Sequence, residues 1–171
     1  MNPSKERAPG VRSTLALIAL LLIPAAWGAP KELEIRTKGQ FDANLILTGS
    51  FTATGAINAE GTIADSPRFK GQSIHIDRTM TTADGEKILL AINSNHVVGT
   101  ETHEADWCDP PETVPPGKEL FPEVGNWTAK GGTRKYATLK GTGRWASWVV
   151  RDPSSGPLTA QECFSGKVQL D

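Results

Sequence analysis

Residues 41–63 read FDANLILTGSFTATGAINAEGTI, and along this stretch an apolar residue or a glycine occupies nearly every odd position. This period of two is typical of β-strands, whose side chains point alternately to the two faces of a sheet. One flat strand of this length would far exceed the strands of a small domain, so the chain has to bend. Gly49, Gly55 and Gly61 recur every six residues on the inward-facing register, where a strand can coil or turn. The stretch therefore predicts two or three strands of a closed, strongly coiled antiparallel sheet.

Further alternating segments extend this sheet to the C-terminus. A polar turn is expected at residues 65–67, and Asp84-Gly85 is a two-residue hairpin signal because both positions tolerate positive φ. Trp145 and Trp148 are separated by an odd number of residues, so an unbulged strand should send them to opposite faces. The other expected strands cover residues 72–82, 87–93, 127–130, 136–139, 143–151 and 161–170.

Residues 1–28 have the layout of a secretory signal peptide. A basic segment precedes an apolar core at residues 15–23, and the small residues Ala26 and Gly28 favour cleavage before Ala29. A retained membrane anchor is the alternative, but Pro24 interrupts a core that is short for a membrane span. Cleavage would leave residues 29–171 as one secreted or periplasmic domain.

The charge of the exported part excludes two classes of partner. The chain has 18 Lys and Arg against 19 Asp and Glu, and removal of the leader takes three bases and one acid, which leaves 15 and 18. This weakly acidic balance favours neither a nucleic-acid surface nor a polybasic membrane patch. We therefore expect no nucleic-acid partner, and no membrane association once the leader is removed.

Two cysteines, Cys108 and Cys163, lie in the exported part. An oxidising compartment favours their pairing, so one disulfide is expected. Two unpaired buried thiols are the alternative. A thiolate metal site is disfavoured because two well-separated cysteines do not have the spacing of metal ligands.

Residues 101–125 are expected to form a proline-rich loop. Five prolines in this segment remove backbone donors and fix φ, so regular structure should fail here. A loop of this length in a small domain is usually functional or is held in place. Cys108 is the expected point of attachment, through a bond to Cys163 near the last strand.

The sequence GGTRKYATLKGTG at residues 131–143, followed by a strand at Trp145, resembles the glycine-punctuated hairpin of allene oxide cyclase-like and dirigent-like proteins. The resemblance covers roughly residues 125 to 150, and Arg134 stands where that pattern usually has glycine. It implies an eight-stranded antiparallel barrel with a largely apolar cavity, often assembled as a homotrimer. In the plant cyclases such a barrel steers ring closure of a fatty-acid epoxide, and dirigent proteins orient the coupling of phenoxy radicals. No catalytic residue is carried over, because the matching segment is scaffold.

The candidate ligand-binding residues are the large apolar side chains on the inward-facing register of the first and last strands. They would line the barrel interior and contact a small apolar or amphipathic molecule. These candidates are Phe41, Leu45, Leu47, Phe51, Ile57, Phe164 and Val168.

Other site chemistries find little support in the sequence. There is no Gly-x-Ser-x-Gly elbow for triad-type hydrolysis. An acidic cluster in the proline-rich segment matches neither a calcium loop nor a zinc motif, so no metal and no cofactor are expected. His75 and His96 are isolated in strand regions and are expected to pack or to form hydrogen bonds. The cluster consists of Glu101, His103, Glu104, Asp106 and Asp109.

Three functions agree with these observations. The first is a non-enzymatic exported barrel that binds a small apolar or amphipathic ligand. The second is an isomerase or cyclase of the allene oxide cyclase-like type, which would need at least one polar group inside the barrel. The third is a structural or interaction module in which the proline-rich loop meets a partner.

Overall fold

A computed structural model describes residues 29–70, 73–97 and 102–170. The signal-peptide prediction for residues 1–28 and the start of the predicted loop at residue 101 lie outside the described residues.

The described residues form an all-β structure in which eight antiparallel strands close into a barrel, in simple chain order. Each strand pairs with the next, and β1 pairs with β8 to close the sheet. The predicted all-β, eight-stranded antiparallel barrel is therefore confirmed. The strands are β1 (Lys31–Phe41), β2 (Leu47–Gly55), β3 (Ala59–Lys70), β4 (Ser73–Thr82), β5 (Lys87–Val97), β6 (Glu119–Gly132), β7 (Lys140–Asp152) and β8 (Gly156–Gln169).

The stretch at residues 41–63 spans the end of β1, all of β2 and the start of β3. The first bend is a turn in which Asp42 Oδ1 accepts hydrogen bonds from the backbone N–H groups of Asn44 and Ile46, at 2.8 and 2.9 Å. The second bend begins at Gly55, whose φ of +98° favours glycine over other residues. The period-two pattern thus identified the strands, and two short turns fold them against one another.

Alternate residues of each strand point into the barrel and bury an apolar interior. Burial of each large side chain contributes roughly 1.5–3 kcal/mol of transfer free energy. Trp145 lies in this interior, whereas Trp148 lies outside the barrel in a second apolar cluster, as the odd spacing predicted. The interior includes Leu33, Ile35, Leu47, Phe51, Ile63, Met80, Ile88, Leu90, Ile92, Trp127, Phe164 and Val168.

The two predicted turns have different outcomes. Residues 65–67 are not a turn but part of β3, which continues to Lys70. The pairing of β2 with β3 ends at Ala64, so Pro67 lies on a free edge where its missing N–H costs no ladder hydrogen bond. The Asp84-Gly85 hairpin forms, with Gly85 at a φ of +82°, but its loop has three residues because the Thr82 N–H donates to the Glu86 carbonyl.

The predicted strand at residues 136–139 is also wrong. Residues Arg134–Tyr136 form a 3-10 turn, and β7 begins only at Lys140. Arg134 has a φ of +41°, so the position where the resembling pattern has glycine does adopt a left-handed conformation. Tyr136 is buried and packs into the interior cluster, so this segment closes one end of the barrel. We call this the closed end and define it by residues 133–139.

The proline-rich loop is shorter than predicted, because β6 begins at Glu119 and includes Pro122. Pro122 is paired with Trp148 on β7, one residue before Glu123, which is opposite Val97 in the last described pair of β5 and β6. The irregular segment therefore ends at Lys118 and not at residue 125.

Cys108 and Cys163 are joined by a disulfide, as predicted, with their Cα atoms 5.5 Å apart. The indole N–H of Trp148 donates a hydrogen bond of 2.6 Å to the Cys108 carbonyl. Gln161 Nε2 donates another of 2.8 Å to the carbonyl of Asp109. These contacts hold the proline-rich loop against the outer face of β7 and β8.

Among the described residues, no helix is long and apolar enough to cross a membrane.

Candidate functional site

An arginine crosses the barrel interior. Arg78 extends from β4, which lies opposite β8 in the barrel, and reaches Glu162 through Nη1 at 2.5 Å and Nη2 at 3.1 Å. It also binds Asp65 on the neighbouring β3, with Nε and Nη2 each 2.6 Å from a carboxylate oxygen. We call Asp65, Arg78 and Glu162 the interior ion-pair cluster.

Further contacts fix the cluster in position. The Thr37 hydroxyl on β1 donates to Glu162 Oε2, and the indole N–H of Trp145 donates to Glu162 Oε1 at 3.2 Å. The Phe164 ring lies with its centroid 5.3 Å from the Arg78 guanidinium carbon, which is cation–π geometry. The cluster therefore links β1, β3, β4, β7 and β8 through the centre of the barrel.

The charges of the cluster depend on one another. Burial alone would lower the pKa of Arg78, but the attraction of Glu162 and Asp65 outweighs burial and raises this pKa above its ordinary value. Burial raises the pKa of Asp65, although its hydrogen bonds to Arg78 and the charge of Arg78 oppose that increase. Removal of the guanidinium would leave two buried carboxylates without a counter-ion.

A cavity of about 100 Å³ lies between this cluster and the end of the barrel opposite the closed end. Its floor includes Asp65, Glu162, Ser147 and a further carboxylate, Glu123 on β6. We call it the open-end cavity. Its walls and rim are apolar and include Phe41, Leu45, Leu47, Phe69, Ile74, Ile76, Trp145 and Val149.

The shape of the mouth follows from unequal strand lengths. Because β2 pairs with β3 only as far as Ala64, the end of β3 rises beyond its neighbour. Pro67 lines the cavity there, and Phe69 stands at the rim with 59% of its surface exposed. Leu45, in the turn between β1 and β2, is 38% exposed. Apolar side chains thus continue from the wall of the cavity onto the outer surface.

Glu123 is the carboxylate of the cavity that lies outside the ion-pair cluster. Burial, and secondly the negative charge of Glu162, raise the pKa of Glu123 from 4.5 to about 7. The side chain therefore changes its charge near neutral pH. A carboxyl group in this state can hold or release a proton when a bound molecule changes its surroundings.

The half of the interior beyond the cluster is filled. The Trp127 indole packs there against Gly143 and Gly166, where an added Cβ would lie 2.7 Å from its ring atoms. Among the described buried side chains, the Trp127 Nε1–H is the one polar group without a hydrogen-bond partner. No Trp127 atom lines the open-end cavity, so the cavity occupies one half of the barrel only.

A larger depression of about 1080 Å³ lies outside the barrel, between the proline-rich loop and the outer face of β1, β2 and β8. It opens broadly to solvent, and its lining mixes polar side chains such as Lys38 and Gln161 with apolar ones such as Trp148 and Val150. Size alone does not make it the better site, because it neither encloses a ligand nor brings buried ionisable groups together. We therefore take the open-end cavity as the candidate functional site.

The seven predicted ligand-binding residues divide between the two halves of the barrel. Phe41, Leu45 and Leu47 line the open-end cavity. The other four, Phe51, Ile57, Phe164 and Val168, are buried in the packed interior and are not part of the cavity lining.

The sequence analysis did not identify the charged side chains that the cavity and the ion-pair cluster contain, although the period-two pattern pointed to two of them. These side chains are Asp65, Arg78, Glu123 and Glu162. Arg78 is in phase with Ile76 and Met80, and Glu162 is in phase with Phe164. Strict alternation therefore placed these charged side chains inside the barrel. The residue types alone pointed to the surface.

The isolated His75 forms hydrogen bonds, as expected, with Nδ1 2.6 Å from Asn93 Oδ1 and Nε2 3.2 Å from Asp77 Oδ1. Within the described ranges, no three His, Cys, Asp or Glu side chains are arranged to hold a metal ion.

Comparison with known proteins finds no family model, no curated protein and no solved structure that matches this chain.

Proposed function

We propose that this protein is an exported, non-enzymatic barrel that binds one end of a small amphipathic molecule in the open-end cavity. The observation that carries the proposal is the composition of this cavity, which has apolar walls and a polar floor. A wholly apolar ligand would close the Glu123 carboxyl off from water without giving it a partner, and a buried polar group without a partner is costly. An amphipathic molecule satisfies both parts of the lining.

The size of the cavity limits how the ligand binds. Ligand pockets commonly measure roughly 300–1,000 Å³, whereas the open-end cavity measures about 100 Å³. Only a head group and the first few atoms of a tail fit inside. The rest of the molecule would lie across the exposed rim formed by Leu45 and Phe69.

The proposed location is outside the cytoplasm, in the periplasm or the extracellular medium. It is supported by the disulfide between Cys108 and Cys163, because oxidising compartments preserve such bonds. The signal-peptide layout of residues 1–28 points in the same direction.

Native mass spectrometry of the protein purified from its own host tests the proposal. We expect a bound small molecule that is released on unfolding, and uptake of an amphipathic dye by protein stripped of it. The intact mass also tests the homotrimer that the sequence resemblance implies. Apoprotein alone, with no dye uptake, would refute the binding function.

A second candidate is an isomerase or cyclase, which Glu123 specifically favours. Its pKa of about 7 suits a group that donates or accepts a proton at neutral pH. The test is incubation with a metabolite extract of the host, followed by a search for compounds that change chromatographic position without changing mass. Catalysis predicts such conversion by the native protein and its loss in Glu123→Gln, whereas a binding protein returns its ligand unchanged.

A further inference from the structure

The floor of the open-end cavity carries more negative than positive groups. Asp65 and Glu162 share the single guanidinium of Arg78. Burial and the charge of Glu162 both raise the pKa of Glu123. Among the described residues, no positive charge lowers it again. Three carboxylates therefore face one positive charge in a place that water reaches only from the mouth.

Arg78 has little capacity left for a ligand. Four hydrogen bonds join its Nε, Nη1 and Nη2 atoms to Asp65 and Glu162. A guanidinium has five N–H donors, so these bonds use most of them. Arg78 itself does not line the cavity, whereas both of its carboxylate partners do. An anionic head group would consequently meet carboxylates and not the arginine.

We propose that the open-end cavity selects amphipathic cations, with a primary ammonium group on the floor between Glu123 and Glu162 and an alkyl or aromatic tail directed to the rim. This inference rests on the proposed binding function and names the class of ligand. An ammonium group has three donors and one positive charge, so it offsets the excess charge and donates a hydrogen bond to Glu123, whereas the oxygens of Glu162 already accept four hydrogen bonds from Thr37, Arg78 and Trp145. A hydroxyl head group supplies a donor but leaves the excess charge in place.

The tail contacts follow from the walls. Trp145 and Val149 on β7 and Leu47 on β2 flank the path from the floor to the mouth, and Phe69 extends it onto the surface. Trp145 is held in this wall because its indole N–H donates a hydrogen bond to Glu162.

The test is isothermal titration calorimetry of the purified protein with hexylamine, hexan-1-ol and hexanoate. The titrations are run at about pH 8, where the Glu123 carboxyl and an alkylammonium are both charged. These probes share one tail and differ in the charge of the head group. We expect hexylamine to bind at least about tenfold more tightly than hexan-1-ol, and hexanoate to bind most weakly. Glu123→Gln keeps the shape of the side chain and should bring hexylamine to within about threefold of hexan-1-ol.

Glu60→Gln is the matched control, because it removes the same charge from an exposed side chain on the outer face of β3. It should leave all three affinities unchanged. Equal binding of the amine and the alcohol, or tightest binding of hexanoate, would overturn the cation preference while the binding function stands. If none of the probes binds and no dye is taken up either, both proposals fail.

Discussion

At the scale of single residues, Arg78 decides how the interior is organised. Its side chain is fully buried, yet it is a charged group in the middle of an apolar barrel. Two carboxylates, a cation–π contact and the hydrogen bonds to Glu162 offset the cost of removing it from water. The same contacts place a polar layer across the barrel and separate the filled half from the open-end cavity.

Substitution of Arg78 by methionine should destabilise the protein by about 3–5 kcal/mol, because it leaves Asp65 and Glu162 buried without a counter-ion. Urea denaturation at neutral pH measures this loss. Arg68→Met is the matched control, since Arg68 pairs with Asp77 on the surface at 2.5 Å, with 65% and 50% of the two side chains exposed. It should cost less than about 1 kcal/mol. Similar losses for the two variants would contradict the role given to Arg78.

Glu123 should make the stability of the fold depend on pH. Its pKa is about 7 in the folded protein and has an ordinary value of 4.5. Between these values the unfolded chain has released this proton while the folded protein retains it, so stability falls as the pH rises from about 4.5 to 7. The penalty reaches at most about 3 kcal/mol above that window and is absent below it.

Thermal unfolding between pH 5 and pH 8 checks this sign. The decrease in Tm across this range should be smaller in Glu123→Gln than in the native protein, and unchanged in the surface variant Glu60→Gln. An identical pH profile for Glu123→Gln and the native protein would show that the carboxyl group is ionised and solvated in the fold.

At the scale of elements, the disulfide and its neighbouring hydrogen bonds hold the proline-rich loop across β7 and β8. Cys108 and Cys163 are separated by 55 positions in the sequence. Closure of a loop of this length contributes about 4 kcal/mol in the chain-entropy model. The bond lies outside the barrel, in the small cluster that includes Ala146 and Trp148.

The double variant Cys108→Ser with Cys163→Ser should lose up to about 4 kcal/mol of stability and should be cleaved faster by proteases between residues 109 and 118. Urea denaturation and limited proteolysis measure the two effects. Trp148→Phe keeps the disulfide but removes the hydrogen bond to the Cys108 carbonyl, so its loop should stay protected. If the double variant loses its β-sheet circular dichroism altogether, the disulfide is required for the barrel itself.

If the loop serves an interaction module, the third function considered, the same double variant should lose its partner while the barrel stays folded. Co-purification from the native host measures this. Unchanged recovery of the partner with the loosened loop would refute a role for the loop in binding.

Much of the strand order could be predicted because period two and turn residues are local signals. The strands and turns that were predicted wrongly depend on contacts between distant parts of the chain, which local signals do not show. Pro67 stands in a strand because it lies where the neighbouring β2 is shorter, and the sequence carries no local mark of that length difference. Pro122 also lies inside a strand, β6. Residues 136–139 looked like a strand, but Tyr136 is needed to close the end of the barrel.

The candidate site was harder to predict for a related reason. Alternation placed Arg78 and Glu162 on the inward face, yet a lone charged residue in a strand is unfavourable there unless a partner is present. Asp65 lies on the neighbouring β3, but Glu162 comes from the opposite side of the barrel and is 84 positions from Arg78 in the sequence. Only the closure of the sheet brings Arg78 and Glu162 together.

At the scale of the whole molecule, the barrel is a container that is filled in one half and accessible in the other. The interior ion-pair cluster forms the boundary. We expect a bound molecule to enter the open-end cavity and to stop at this cluster.

The indole N–H groups of three tryptophans report separately on the relevant regions. Trp145 donates to Glu162 at the floor of the cavity, Trp127 lies in the packed half, and Trp148 donates to Cys108 beneath the loop. The direct test is a two-dimensional ¹H–¹⁵N NMR titration of the protein with hexylamine, with these three signals assigned. We predict a saturable shift of the Trp145 indole signal, with the Trp127 and Trp148 signals unmoved. A saturable shift of Trp127 or Trp148 while Trp145 stays in place would contradict binding in the open-end cavity.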